Sequence, residues 1–444
     1  MNQVTVIGAG LAGAECAWQL ARRGIPVVLR EMKPEKTTPA HVTPYFAELC
    51  CSNSLRGAGL ENAVGLLKEE LRRLDSLILR CADATAVPAG GALAVDREGF
   101  ARMVTEHILA QPNITLVPGE VTAIPDGDVV IASGPLTSDP LAEAIAAKLG
   151  GGTTLNFFDA AAPLVSYDSV DMDSAYFASR YDKGTPDYIN CPLSKEEYLA
   201  FWQALVSAQE AEVHGFEDKN VFEGCMPVEV MARRGEDTLR FGPLKPRGLP
   251  DPKTGKEPYA VVQLRRDNAD GTIYNLVGFQ THLKWGEQKR VFSMIPALRE
   301  AAYLRYGVMH RNTYLNSPQL LDRYYRLQSD PRIAFAGQMT GVEGYVESAS
   351  SGLVAGISLA RRMLGLPPVD FTTRTAIGAL AHHVSGATAD FQPMNANFGL
   401  IDSCEKRIRN KQERYAHVAA RALDTIEAIR SNPLACDFDR TLQN

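Results

Sequence analysis

Residues 3–7, QVTVI, form a short apolar run closed by a glycine, and Leu11 to Arg23 then places Ala14, Ala17, Trp18 and Ala21 at helical spacing. A second apolar run, IPVVLRE (25–31), follows, so the chain opens with a predicted strand–helix–strand unit. Residues 62–80 carry Leu67, Leu71, Leu74 and Ile78 on one face, which predicts a single amphipathic helix with a core-facing stripe. ITLV (114–117) and VVIA (129–132) predict strands, the latter running into SGPL, and 139–149 predicts a helix ending at the glycines 150–152. From 153 to 319 aromatic and proline residues become more frequent. PLKPRGLPDPKTGKEP (243–258) holds five prolines in sixteen positions and predicts a long loop, while AVVQLRRD and TIYNLVGFQT flank NADG as a hairpin. RIAFAGQMTGVEGY (332–345) then returns to a strand and a glycine-rich turn, continued by the helical SGLVAGISLARRML. The stretch 403–430 predicts a basic amphipathic helix with its arginines on a solvated face.

Two strand–glycine–helix units so far apart predict a discontinuous α/β domain, 1–152 with 320–444, interrupted by an α+β insertion at 153–319. The first turn, GAGLAG, has the pattern of a dinucleotide fingerprint. Gly8 permits the tight turn, Gly10 lets backbone N–H groups approach a pyrophosphate, and Gly13 lets the helix pack close to the sheet, with its N-terminus facing the phosphates. Glu31 ends the second strand eighteen residues past Gly13, where a carboxylate accepts ribose hydroxyls and favours FAD or NAD over NADP. Ala9, Leu11 and Ala12 complete the predicted phosphate turn.

Composition narrows the class. With 45% hydrophobic and 22% charged residues among 444, the chain reads as a soluble globular protein. It has no apolar run of the ~20 residues a membrane span requires, and its N-terminus enters a strand at once, so a cytoplasmic location is expected. The eight cysteines (16, 50, 51, 81, 191, 225, 404 and 436) form no CxxC pair and have no zinc spacing, so neither a disulfide framework nor a metal site is expected. The net charge of −6 hides an asymmetry: Cys225 to Arg311 holds 15 Lys/Arg against 9 Asp/Glu, a local +6 that leaves −12 elsewhere. An anionic partner is therefore expected at the middle of the chain, although a solvated charged face explains the same count.

Several blocks together are more specific. ELCCSNSLRG (48–57), SRYDKG (179–184), YINCPL (188–193), FEGCMPVEVMARRG (222–235), FGPLKP (241–246), NLVGFQTHLKW (275–285), YGVMHRNTY (306–314), FAGQMTGVEGYVESASSG (335–352) and FQPMNANFGL (391–400) resemble, in order, the folate- and FAD-dependent tRNA (uracil-5-)-methyltransferases. The late glycine turn is also similar to that of flavoproteins of the glutathione-reductase type. A sister family that builds carboxymethylaminomethyl-type side chains on the wobble uridine shares that turn, but its members are longer by a helical C-terminal domain for which this chain has no room. Departures from the family pattern are a second thiol, Cys50, directly before Cys51, and an arginine at 247. The resemblance implies a Rossmann-like FAD domain contacted by Val121, Gly337, Gln338, Gly341 and Gly344, methylenetetrahydrofolate as carbon donor, NAD(P)H as reductant and the T-arm of tRNA as substrate. It implies neither a protein partner nor a membrane.

Methylating carbon 5 of uracil requires activation, because that carbon is a poor nucleophile. Addition of a thiolate at carbon 6 makes the ring an enolate that can attack a one-carbon unit, and a base then removes the carbon 5 proton. Cys225 is the candidate nucleophile, lying just before a predicted helix N-terminus with Pro227 at its first position. Cys51 is the second candidate, as general acid/base or as a thiol guarding the flavin, in a polar CSNS turn. Cys16 and Cys81 read as core, and Cys191 has no evident role. His282, Lys284 and Tyr345 are candidate contacts for folate and uracil. Arg233, Arg234, Lys245, Arg265, Arg266, Lys289 and Arg290 are candidates to meet tRNA phosphates. Two other readings remain: an FAD/NAD(P)H oxidoreductase with a Cys51/Cys225 redox pair and no RNA, and an FAD-holding RNA-binding module without catalysis.

Overall fold

A computed structural model describes residues 3–38, 40–150, 154–211, 226–307, 309–386, 391–404 and 408–431. Its central sheet has five parallel strands in the order Ile333–Phe335, Asp128–Ile131, Val4–Ile7, Val27–Glu31, Ile114–Pro118. The edge strand comes from the far end of the chain, so the α/β unit is discontinuous. The three strands Ile333–Phe335, Asp128–Ile131 and Val4–Ile7 are largely buried and read as continuous apolar runs, as buried parallel strands do, whereas the other edge strand, Ile114–Pro118, is partly exposed. Helix Leu11–Ala21 and helix Tyr345–Met363 pack so closely that a Cβ on Gly352 would lie 2.1 Å from the Ala12 carbonyl oxygen. No side chain larger than hydrogen fits there.

The single helix expected over 62–80 is two helices, Ala63–Arg73 and Leu77–Ala84. Asp75 between them adopts a left-handed φ of 59°. The break has a long-range cause: the buried Glu15 carboxylate accepts from Ser76 Oγ at 2.7 Å and from the Ile78 amide at 3.0 Å, capturing a donor at the start of the second helix. The last helix begins later than expected, at Lys411, and runs to Arg430, with Val418, Ala422 and Ile426 turned inward.

The insertion is built on a six-stranded antiparallel sheet, ordered Tyr176–Ala178, Tyr188–Leu193, Ala260–Arg266, Ile273–Leu276, Leu164–Ser166, Tyr303–Arg305. It has its own core, with Ile189, Phe201, Val262, Leu264 and Phe292 among the buried residues. Helix Lys195–Val206 is fixed at its start by a capping box, Ser194 Oγ accepting from the Glu197 amide at 3.2 Å and Glu197 accepting from the Ser194 amide at 2.8 Å. Strands Thr154–Ala160 and Met309–Leu315 pair antiparallel as the chain enters and leaves the insertion. Among the described residues no helix is long and apolar enough to cross a membrane, and no group of ligand-type side chains could hold a metal ion.

Candidate active site

The first strand ends at Gly8, whose φ of 94° suits glycine and where a Cβ would lie 2.6 Å from the Ala132 carbonyl oxygen. The chain then turns into helix Leu11–Ala21, capped by Gly10 with no side-chain hydrogen bond and no acidic residue in the first turn. Its first N–H groups therefore face outward without a partner side chain, beside open space: a Cβ on Gly10 would meet no atom within 4 Å. Gly13 acts differently, since a Cβ there would collide with the Gly8 carbonyl oxygen at 1.8 Å. It sets the approach of helix to strand rather than touching a ligand.

That open space is a cleft of about 1340 Å³, open to solvent, lined by Gly8, Ala9, Gly10, Leu11, Ala12 and Glu31, with Val121, Gly337, Gln338 and Tyr345 further round and both Cys50 and Cys51 on its wall. Glu31 accepts from the Ala9 amide at 2.8 Å and from the Lys33 amide at 2.9 Å, so its carboxylate pins the glycine turn to the second strand. Each carboxylate oxygen keeps a second lone pair for a ribose hydroxyl. An uncapped helix N-terminus, glycine clearance and a fixed acid are what a dinucleotide needs, and these residues fit FAD. Gly341 and Gly344 do not line the cleft. A Cβ on Gly341 would meet the Phe391 ring at 2.3 Å, and Gly344 holds a φ of 118° that favours glycine.

Tyr345 begins the late helix at the cleft wall. Its phenol oxygen accepts from the amides of Cys51 at 2.9 Å and Ser52 at 3.2 Å, and lies 3.0 Å from Cys51 Sγ. Burial raises the phenol well above its ordinary range, with the neighbouring Cys51 and Cys50 adding to the rise. The 48–57 segment also ties the insertion to this wall. Arg265 is turned inward, giving Nη2 to Ser52 Oγ at 2.7 Å and Nε to Asn53 Oδ1 at 3.2 Å.

His282 lies away from the cleft. Its Nε2 is 2.7 Å from Glu210 Oε2, its Nδ1 is 2.7 Å from Glu229 Oε1, and its side chain is 1% exposed. It joins its own loop to Glu210 and to Glu229 of helix Val228–Arg233, with its ring buried. Arg233 pairs with the same Glu210, Lys284 Nζ reaches Gln209 Oε1 at 3.3 Å, and Arg290 pairs with Glu287 at 2.6 Å. Arg233, Lys284 and Arg290 thus share one neighbourhood of the insertion, where Lys284 and Lys289 are exposed. Arg234 and Lys245 are exposed as well, and Arg266 is half-buried. Helix Val228–Arg233 starts one residue later than expected, with Pro227 at its N-cap. Cys225 lies outside the described residues.

Comparison with known proteins places the chain. The family model described as glucose inhibited division protein A matches residues 3–367. Proteins named methylenetetrahydrofolate–tRNA-(uracil-5-)-methyltransferase TrmFO from Lactobacillus gasseri and Pelotomaculum thermopropionicum are each 60% identical over 97% of this chain, covering 98% and 99% of their own lengths. The chain belongs to the TrmFO family. A crystal structure of Aquifex aeolicus GidA shares the fold, with a TM-score of 0.70 at 15% identity over 98% of this chain and 75% of that one. The family is the one that the sequence blocks resembled.

Of the two adjacent thiols in this TrmFO-family chain, Cys50 is held as a thiol. Burial pushes it up to about 12, with Glu48 and Cys51 adding to the rise, and its Sγ points to the Glu48 carbonyl oxygen at 3.8 Å. Cys16, Cys81 and Cys191 are buried in the two cores, and burial raises all three. Sequence reasoning missed Arg97 and Arg305. Arg97, at the start of helix Arg97–Leu109, makes a bidentate pair with Asp267 at 2.9 and 2.8 Å, joining the α/β unit to the insertion beside Cys51. Arg305 is close to Arg97, Tyr345 and Cys50, and burial followed by Arg97 lowers its guanidinium. The charge excess of the middle region includes Arg305, and nothing in the sequence pattern pointed to Arg97. The Ser133–Ser138 wall of the cleft was signalled by SGPL following a strand.

Proposed function

We propose that this chain methylates carbon 5 of the T-loop uridine of tRNA, taking the carbon from methylenetetrahydrofolate and using FAD reduced by NAD(P)H. The observation that carries this reading is one cleft lined both by an uncapped helix N-terminus and by Cys51 and Tyr345. A dinucleotide laid along it puts its reactive end beside a thiol. Identity of 60% to proteins named for this reaction supports the same reading. The division of labour follows the two units, 1–152 with 320–444 for FAD and 153–319 for folate and RNA.

Gly8 to Ala12 and Glu31 bind and orient the cofactor, and Gln338 and Tyr345 bound its far end. When bound, reduced FAD supplies the hydride that brings a methylene carbon to the methyl level. Cys225 adds as thiolate to carbon 6 of the uracil, forming an S–C bond and placing the electron pair over carbon 5 for attack on the one-carbon unit. Cys51 takes the carbon 5 proton as the bond between the methylene carbon and the folate nitrogen breaks, that nitrogen keeping the electron pair, and hydride addition to the freed methylene would then return a pair through the ring that breaks the S–C bond and frees Cys225. Exposed Lys284, Lys289, Arg234 and Lys245 meet RNA phosphates.

The test is nucleoside analysis of an unmodified tRNA transcript incubated with the FAD-loaded protein, methylenetetrahydrofolate and NADPH. We expect 5-methyluridine from the wild type, none from Cys225→Ala, and a covalent adduct between wild-type protein and 5-fluorouridine RNA. A wild-type reaction without 5-methyluridine overturns the proposal. Full activity in Cys225→Ala removes only the assigned nucleophile.

A further inference from the structure

The geometry points to Tyr345 as the hydrogen-bond donor that holds Cys51 in its thiolate form, a positioning residue acting through that sulfur rather than a stacking platform for folate. This inference rests on the proposed acid/base role of Cys51 and specifies how that role is set.

Donor and acceptor counting at one oxygen gives the direction of the bond. The Tyr345 phenol oxygen receives two backbone N–H groups, from Cys51 at 2.9 Å and Ser52 at 3.2 Å, which occupy its acceptor capacity. The phenolic hydrogen must then point elsewhere, and among the described residues the acceptor within reach is Cys51 Sγ at 3.0 Å. The reverse assignment, S–H donating to oxygen, would crowd three donors onto one atom and leave the phenolic hydrogen buried without an acceptor. A sulfur that accepts is favoured as thiolate, because a hydrogen bond to the charged form stabilises it. Burial keeps the phenol protonated, so it remains a donor through the neutral range.

The other groups around the pair complete the field. Arg97 interacts with both Cys51 and Tyr345 and adds positive charge, although Asp267 neutralises much of it. Arg305 faces Cys50 and Tyr345 with a guanidinium whose Nε and Nη2 have no hydrogen-bond partner among the described residues. Glu48 acts on Cys50, which remains a neutral thiol beside the pair. One cationic group, Arg97, thus acts on Cys51 and a neutral donor touches it, an arrangement that favours S⁻. The tyrosine is fixed in turn as the first residue of the helix Tyr345–Met363, whose Gly352 abuts Ala12. Cys51 is thereby linked to the glycine turn of the cleft through a single rigid helix.

The test is the pH dependence of iodoacetamide alkylation at Cys51, followed by tandem mass spectrometry that separates it from Cys50, in FAD-loaded wild type and Tyr345→Phe. The phenylalanine variant keeps the ring and removes the donor. We expect its alkylation midpoint to rise by about one pH unit, a tenfold loss of thiolate near neutrality, with flavin absorbance kept and a lower thermal midpoint, because the Cys51 and Ser52 amides lose their acceptor. An unchanged or lowered Cys51 midpoint in folded Tyr345→Phe overturns the inference. Should that variant fail to fold, wild-type protein labelled with 3-fluorotyrosine serves instead: a more acidic phenol is a stronger donor, so the midpoint falls, and an unmoved midpoint overturns the inference. None of these readouts uses RNA. A shifted midpoint in a protein that forms no 5-methyluridine would uphold Tyr345 and reject the methyltransferase reading, and the converse pair of results would do the opposite.

Discussion

Cys50 and Cys51 are neighbours in sequence with opposite surroundings, so they separate local composition from three-dimensional context. Both line the cleft, yet burial and the Glu48 carboxylate hold Cys50 as a thiol, while Cys51 touches the Tyr345 phenol. Cys50→Ser is therefore expected to leave turnover within about threefold of wild type. Cys51→Ala is expected to lower it by about a hundredfold or more, the usual scale for losing a general acid or base. Initial rates of tRNA methylation check both, and equal losses in the two variants would contradict the assignment. Residue-scale legibility followed distance along the chain. Gly13 and Glu31 were readable because their partners lie in one strand–helix–strand unit, the Glu31–Ala9 contact spanning 22 positions. Tyr345 was read as a folate contact, because its bond to Cys51 spans 294 positions and leaves no local trace. The surroundings of His282 are equally hidden in the sequence: its carboxylate partners, Glu210 and Glu229, stand 72 and 53 positions away.

Elements follow the same logic. The helix expected over 62–80 has an unbroken apolar stripe, and what divides it is Glu15 from another helix reaching the Ser76 and Ile78 donors. On the first half, Glu70 sends its carboxylate into the start of helix Ala376–His383, accepting from the amides of Ala376 at 2.8 Å and Ile377 at 2.9 Å. Burial outweighs these bonds and pushes the carboxyl up to about 8 from 4.5. A raised carboxyl means that the folded state binds a proton that the unfolded chain has released. The Glu70 contribution is therefore complete below about 4.5 and is lost as pH rises toward 8. Urea midpoints of wild type should thus decline across that window, whereas Glu70→Gln, which keeps the shape and cannot ionise, should show a shallower decline. Parallel curves for the two proteins would contradict this account of the element.

At the scale of the whole molecule, two cores meet along a polar seam. Arg97 and Asp267 form a bidentate ion pair in it, with Asp267's side chain 4% exposed, and Arg265 with Asn53 and Ser52 extends it. Removing one member of a buried pair strands the other charge, which costs about 3–5 kcal/mol. Arg97→Ala should lower the urea midpoint accordingly, and Arg97→Lys should recover only part of it because an ammonium cannot make the bidentate pair. An unchanged midpoint in Arg97→Ala would show that the seam contributes nothing to stability. The seam was invisible in sequence, since Arg97 and Asp267 lie 170 positions apart, but the discontinuous α/β unit was legible from two glycine turns placed after strands.

The central claim is that a thiol at the end of a dinucleotide cleft serves carbon transfer from folate to uracil. The most direct measurement is mass spectrometry of nucleosides from a tRNA transcript incubated with the FAD-loaded protein, NADPH and methylenetetrahydrofolate carrying ¹³C at the methylene carbon. The account predicts 5-methyluridine heavier by one mass unit in its methyl group, at a single uridine of the T-loop. A transcript that stays unmethylated, or a methyl group without the label, would contradict it.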